Sequence, residues 1–209
     1  MQHVALIGDS VFDNGTYIHG GPNVGAQLQE ELGQDWVVAM LAIDGSLTHE
    51  VGNQLRHLAT GVTHIVLSTG GNDALNQLWL FDVASQSVGH ALTELAAVAE
   101  DFRDSYKSLL RAIGDCNVPT TVCTIYDPNG LEPLPRQISA QTALILFNNV
   151  IITEALDAGF DVLDIRRLFI DAEDYANPIE PSVAGGTKLA RAISGIVTGA
   201  SQQSVSLWG

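Results

Sequence analysis

The segment His3-Val4-Ala5-Leu6-Ile7-Gly8-Asp9-Ser10 decides how this chain folds. Val4 to Ile7 is an unbroken apolar run, too short for a helix, that stops at a glycine followed by an acid and a hydroxyl residue. An apolar run with no alternation reads as a strand covered on both faces, which is the condition of a parallel sheet buried between helices. Outward from it, Trp36 to Ile43, His64 to Thr69, Thr120 to Ile125 and Asp161 to Asp164 have the same character, so the strand set is His3 to Ile7 and these four.

The intervening segments carry apolar residues three and four apart, as Leu92, Leu95, Ala96, Val98 and Phe102 do. They predict helices over Asn23 to Leu32, Thr48 to Leu58, Val88 to Ile113, Ile138 to Ala158 and Val183 to Val197. Strand and helix in strict alternation predict an α/β fold: a five-stranded parallel sheet with helices on both faces, in three layers. The loop-like stretches Gly20-Gly21-Pro22 and Gly130 to Pro135 each fall between a strand and a helix, so neither marks a boundary. One domain is expected over residues 1–209, with the polar stretch from about Ala200 to Gly209 a loose end.

Composition agrees with a packed globule, since 46% of residues are hydrophobic and only 16% are charged. The formal charge of −15, from 24 acids against 9 bases, repels phosphate backbones and anionic lipid, so nucleic acid is not an expected partner. Cys116 and Cys123 read as small core thiols of a reducing compartment. The chain enters its first strand with no basic and apolar leader, and no apolar run reaches the roughly 18 residues of a membrane span. A cytoplasmic location is the resulting expectation. Oligomeric state is not legible.

In open sheets, ligands sit beyond the carboxyl ends of the strands, which directs attention to three loops. These are Gly8-Asp9-Ser10, Asp44-Gly45-Ser46 and Gly70-Gly71-Asn72-Asp73. A serine becomes nucleophilic when a base takes its proton, and the oxyanion it forms needs preorganised donors. The Ser10 N–H, the Gly45 N–H and the Asn72 amide are candidates for one oxyanion hole, with glycine at 45 permitting close backbone approach.

Gly8-Asp9-Ser10, Gly45 and Gly70-Gly71-Asn72-Asp73, in that order and over nearly the whole chain, resemble the blocks of the SGNH, or GDSL, hydrolases. The resemblance implies a flavodoxin-like three-layer sandwich and a serine esterase, with Ser10 as nucleophile and Gly45 and Asn72 as oxyanion donors. It also implies a last block, aspartate and histidine before Pro-Ser, that supplies acid and base. Here that block reads Asn177-Pro178-Ile179-Glu180-Pro181-Ser182, and no histidine follows His90.

Glu180 stands at the histidine position and reaches roughly as far, so it is the candidate base. A carboxylate works efficiently only if burial or neighbouring acids such as Asp9 raise its pKa from about 4.3. Asn177, in place of the aspartate, can donate a hydrogen bond where a second acid would repel. A rival reading makes Glu180 a favourable charge at the start of the last helix. His19 and His49, on the loop side, are alternative bases, whereas His3, His57, His64 and His90 fall in or beside strands and helices. Asp9, Asp13 and Asn14 read as turn braces.

The apolar segment Leu75 to Phe81 either lines an acyl pocket or anchors itself to the domain through Trp79 and Phe81. The activity expected is hydrolysis of a small-molecule carboxylic ester or thioester through a Ser10 acyl-enzyme, without metal or organic cofactor, acyl transfer being a variant of the same chemistry. The alternative is a binding protein that keeps the scaffold and has lost its base. A phosphate or flavin site in the loop Asp9 to Thr16 lacks a basic or glycine-rich cradle. A Mg²⁺ site would draw on Asp9, Asp13, Asp44 and Asp73.

Overall fold

In the computed structural model, which describes residues 1–200, β1 (Gln2–Gly8) lies between β2 (Trp36–Met40) and β3 (His64–Ser68). β4 (Thr120–Cys123) and β5 (Asp161–Leu163) complete a parallel sheet of order β2-β1-β3-β4-β5. This is the flavodoxin-like order, in which the chain leaves β1 toward one edge and returns at β3 toward the other. The end of β1 therefore opens into the crevice where ligands bind in such sheets. The expected loose end lies outside the described residues.

Successive side chains of a strand point to opposite faces, and both faces here are buried. Val4 and Leu6 pack with α1 (Val24–Leu32) and α6 (Val183–Val197) through Val24, Leu28, Leu189 and Ile193. Ile7, Ile65 and Leu67 pack with α4 (Val88–Gly114) and α5 (Leu134–Asp157) through Phe102, Tyr106, Phe147 and Ile151. Glu154 of α5 is 5% exposed and is paired with Arg103 and Lys107 of α4, which locks the two long helices together. By length and composition α5 is the one described helix apolar enough to cross a membrane, and its inner face is part of this core.

Several elements depart from expectation. The helix predicted over Thr48 to Leu58 is broken into α2 (Thr48–Val51) and a 3₁₀ turn, Gln54–His57. The tertiary demand on Gln54 overrides the local pattern: its amide donates to Gly8 O at 2.8 Å while its Oε1 accepts the Gly8 N–H at 2.7 Å. The supposed loop after Asn72 contains α3 (Gly71–Leu75) and a 3₁₀ turn, Leu78–Asp82. α5 starts at Leu134 rather than Ile138, with proline tolerated in its first turn. β2 stops at Met40 because Leu41 and Ala42 N–H both turn to Leu6 O. Cys116 and Cys123 are free thiols.

Gly8 ends β1 at φ +131°, and a Cβ there would sit 1.7 Å from Ser68 O. Only glycine lets the backbone pass β3 and turn Asp9 and Ser10 into the crevice. Gly8→Ala is expected to cost about 3 kcal/mol or more, the range of severe backbone clashes, or to prevent folding. Equilibrium urea unfolding of the variant checks this; a loss under about 1 kcal/mol contradicts it.

Candidate active site

Ser10 follows the Gly8 turn and is 7% exposed. Its hydroxyl donates to Glu180 Oε1 at 3.1 Å, across 170 residues of sequence. Its backbone N–H has no partner among the described residues. Asn72, in the first turn of α3, donates one amide N–H to Ser46 O at 3.1 Å, which fixes the side chain and leaves its second N–H free. Ser10, Asn72, Glu180 and Asp9 all line one cavity of about 100 Å³.

Gly45 does not line that cavity. It lines a separate surface depression with Leu41, Ser46 and His57, and a Cβ at residue 45 would touch nothing within 4 Å. What requires glycine is φ +79°, not close approach.

The loop carrying Glu180 is held from several directions. The Asn14 amide donates to Pro181 O at 3.0 Å, the Tyr126 hydroxyl to Ile179 O at 2.6 Å, and Asn129 N–H to Pro178 O at 2.9 Å. Asn177 does not donate to Glu180. Its Oδ1 accepts the backbone N–H groups of Ile179 and Glu180, both at 3.0 Å, because the turn leaves those donors unpaired. The rival placement of Glu180 at the helix start is not what forms: Ser182 caps α6, accepting from Ala184 and Gly185 N–H, while the Glu180 side chain turns to Ser10.

Burial pushes the Glu180 carboxyl up to about 7; the negative charge of Asp44 adds to the rise and the hydrogen bond from Ser10 opposes it. Asp9 is likewise pushed up to about 7, by burial first and then by Glu180 and Asp73, against the hydrogen bond its Oδ1 accepts from Val11 N–H at 3.2 Å. Oε2 of Glu180 is buried and has no hydrogen-bond partner. No lysine, arginine or histidine lines the cavity. His19 and His49 are exposed and lie outside it.

The other acids hold the loops together. Asp13 accepts Asp44 N–H at 3.1 Å, Asp44 accepts the Tyr17 hydroxyl at 2.9 Å, and Asp73 accepts both the Thr48 N–H and hydroxyl. Among the described residues no three His, Cys, Asp or Glu side chains are grouped as a metal would require. Tyr17, Gln54 and Tyr126 carry parts of this frame that the sequence did not reveal. A tyrosine in a polar loop and a glutamine inside a helical pattern have no local signal of a long-range role.

The remaining cavity wall is apolar. Leu75, Leu78, Leu80 and Phe81 line it, facing Leu144 and Phe147 of α5. Trp79 does not line it and is 58% exposed.

A serine at the switch point of such a sheet, opening on an apolar cavity, puts the chain in the class of ester-hydrolysing α/β/α enzymes. More narrowly, residues 6–186 match the GDSL-like lipase/acylhydrolase family, and the chain belongs to it. No curated protein matches the chain in sequence. Among solved structures it is similar to an extracellular lipase from Streptomyces rimosus, at 16% identity and TM-score 0.67 over 96% of this chain and 100% of that one. It is similar also to an acetyl xylan esterase (16%, 0.68, covering 93% and 99%). A phospholipase A1 from Streptomyces albidoflavus is a third (17%, 0.66, 92% and 97%). At these identities the likeness is one of fold.

A carboxyl whose folded pKa is raised favours the folded state most below its unfolded value, and that contribution is lost as pH rises through the folded value. For Glu180 the window runs from about 4.5 to about 7. Glu180→Gln, which cannot ionise, is therefore expected to unfold like wild type near pH 4 but to be more stable by about 1–3 kcal/mol at pH 8. Urea melts at the two pH values check it; a variant less stable at pH 8 contradicts it.

Proposed function

We propose that this chain hydrolyses carboxylic esters or thioesters through a Ser10 acyl-enzyme, with Glu180 as the proton acceptor. The observation that carries this reading is the buried hydrogen bond from the Ser10 hydroxyl to a carboxyl held near neutral pH by burial. As Ser10 Oγ attacks the carbonyl carbon, its proton passes to Glu180, and the negative charge moves from the carboxylate to the carbonyl oxygen. The Ser10 N–H and the Asn72 amide are the donors closest to hand for that oxygen. When the tetrahedral adduct collapses, Glu180 returns the proton to the leaving alkoxide or thiolate. A water then attacks the acyl-enzyme, giving its proton to Glu180; collapse of this second adduct breaks the Ser10 Oγ–acyl bond, releases the carboxylic acid and returns the proton from Glu180 to Ser10 Oγ.

The acyl chain lies along the apolar wall formed by the turn after Asn72 and by α5, which supports esters longer than acetate as substrates. Burial of each methylene contributes about 0.8 kcal/mol, so kcat/KM is expected to rise tenfold or more from acetyl to hexanoyl p-nitrophenyl esters. No metal or organic cofactor enters the mechanism. A cytoplasmic site of action belongs to the same proposal and is supported by the two free cysteines.

In p-nitrophenyl ester assays, Ser10→Ala is expected to fall to background. Asn72→Ala is expected to lose about 10² to 10³ in kcat with KM little changed, as for one oxyanion donor. Glu180→Gln is expected to lose about 10² or more, while His19→Ala and His49→Ala stay near wild type. An active Glu180→Gln beside a dead histidine variant moves the base to a loop. A wild type that neither turns over esters nor reacts at Ser10 with a fluorophosphonate is a binding protein.

A further inference from the structure

Two buried carboxyl groups share the cavity with Ser10, and among the described residues no lysine, arginine or histidine lines it to balance them. Two negative charges together in an apolar, desolvated space are strongly disfavoured, so one of the pair holds a proton where the other is ionised. The geometry says which. Glu180 Oε1 receives the Ser10 hydroxyl, the position of an ionised acceptor. Asp9 is buried more deeply, at 2% exposed against 6% for Glu180.

Asp9 faces Glu180 from the loop before α6, Asp73 from α3, Cys123 on β4 and Tyr126 just beyond it, all of them neutral or negative. Its two oxygens have different surroundings. Oδ1 accepts the Val11 N–H, which braces the turn. Oδ2 has no partner among the described residues and lies beside the turn that carries Asn72, where a Cβ built on Gly71 would be 3.9 Å from it.

We propose that Asp9 is a further catalytic residue, a neutral carboxylic acid whose Oδ2–H donates a hydrogen bond to the oxyanion beside the Asn72 amide and the Ser10 N–H. This rests on the serine-esterase reading of the site. Asp9 keeps its proton throughout the reaction; it stabilises charge and transfers nothing. It adds a carboxylic acid donor to the Asn72 amide and the Ser10 N–H; Gly45 lines a different depression. It also gives the oxyanion an advantage over the Glu180 carboxylate, from which the negative charge must move.

The pH dependence follows from the pair. Burial, with Glu180 and Asp73 adding, pushes Asp9 up to about 7, so its donor is present below that pH and lost above it. Glu180, faced by Ser10, Asp44, Tyr17 and Tyr126, must be ionised to act and is lost as a base on the acid side. The pair titrates as a unit and gives a narrow bell for kcat.

The test compares Asp9→Asn with Asp9→Ala on p-nitrophenyl butyrate across pH 5 to 9. Asparagine keeps both the Val11 contact and a donor but cannot ionise. Its kcat at pH 6 is expected within about threefold of wild type, with the alkaline decline gone, whereas Asp9→Ala loses about 10² in kcat with little change in KM. An alkaline limb unchanged in Asp9→Asn, or an asparagine variant as slow as the alanine one, overturns the proposal. A readout independent of turnover is the wild-type-minus-Asp9→Asn infrared difference spectrum at pH 6, which is expected to carry the carbonyl band of one protonated carboxyl group. Absence of that band from the difference spectrum also overturns it. A wild type with the band but no ester turnover would instead defeat the esterase reading, and the donor role with it.

Discussion

A carboxylate can take a serine proton only if it has been removed from water, and the Ser10–Glu180 contact imposes that condition on everything around it. An imidazole base becomes a cation on proton transfer and gains from an acid behind it. A carboxylate base becomes neutral, so nothing behind it needs to be charged. The place behind Glu180 is accordingly occupied by Asn177, whose Oδ1 ties down the Ile179 and Glu180 N–H groups instead of orienting a ring. Under the proposed mechanism the two departures in the last block are one change: charge is relocated rather than separated.

A buried carboxyl with an unpaired oxygen tends to swing into solvent, because hydration offsets more than one weak hydrogen bond does. The loop between η-turn Ala172–Asp174 and α6 removes that freedom. Asn14 reaches it from the β1 loop, Tyr126 and Asn129 from the segment after β4, and Lys188 of α6 holds Asp174 at its base at 2.8 Å. Asp174 is kept below the usual carboxylate range: burial works against it, but the Lys188 ion pair and two backbone donors prevail. Stability supplied around the loop offsets what the uncompensated carboxyls cost within it.

The fold was legible because β1 and β3 are apolar runs buried on both faces and the strands alternate with segments of helical period; the last helix, Val183–Val197, has the predicted bounds. Ser10 and Asn72 were legible as turn residues after strands, and Glu180 through the resemblance of the last block; all three line one cavity. Gly45 was legible as a glycine because the turn needs a positive φ, here +79°. The helix broken at Gly52 and the clamp of Gln54 on Gly8 were hidden because both depend on partners more than forty residues away. Trp79 and Phe81, alike in composition, have opposite surroundings, because the 3₁₀ turn Leu78–Asp82 sends neighbours to different sides.

Specificity and basicity are built from the same wall. The leucines and Phe147 that would hold an acyl chain line the same cavity as Glu180, so under the proposed mechanism the apolar surface bears on both the substrate and the pKa of the base. A polar residue introduced into that wall would weaken acyl binding and, by solvating the carboxylate, lower its affinity for the serine proton. Filling the cavity with substrate works the other way: it displaces residual water and strengthens every charge interaction inside. In the proposed mechanism Glu180 therefore reaches its full strength as a base when an acyl chain is seated. A carboxylate can in this way do the work of a histidine on an apolar ester while remaining a poor catalyst for a small polar one.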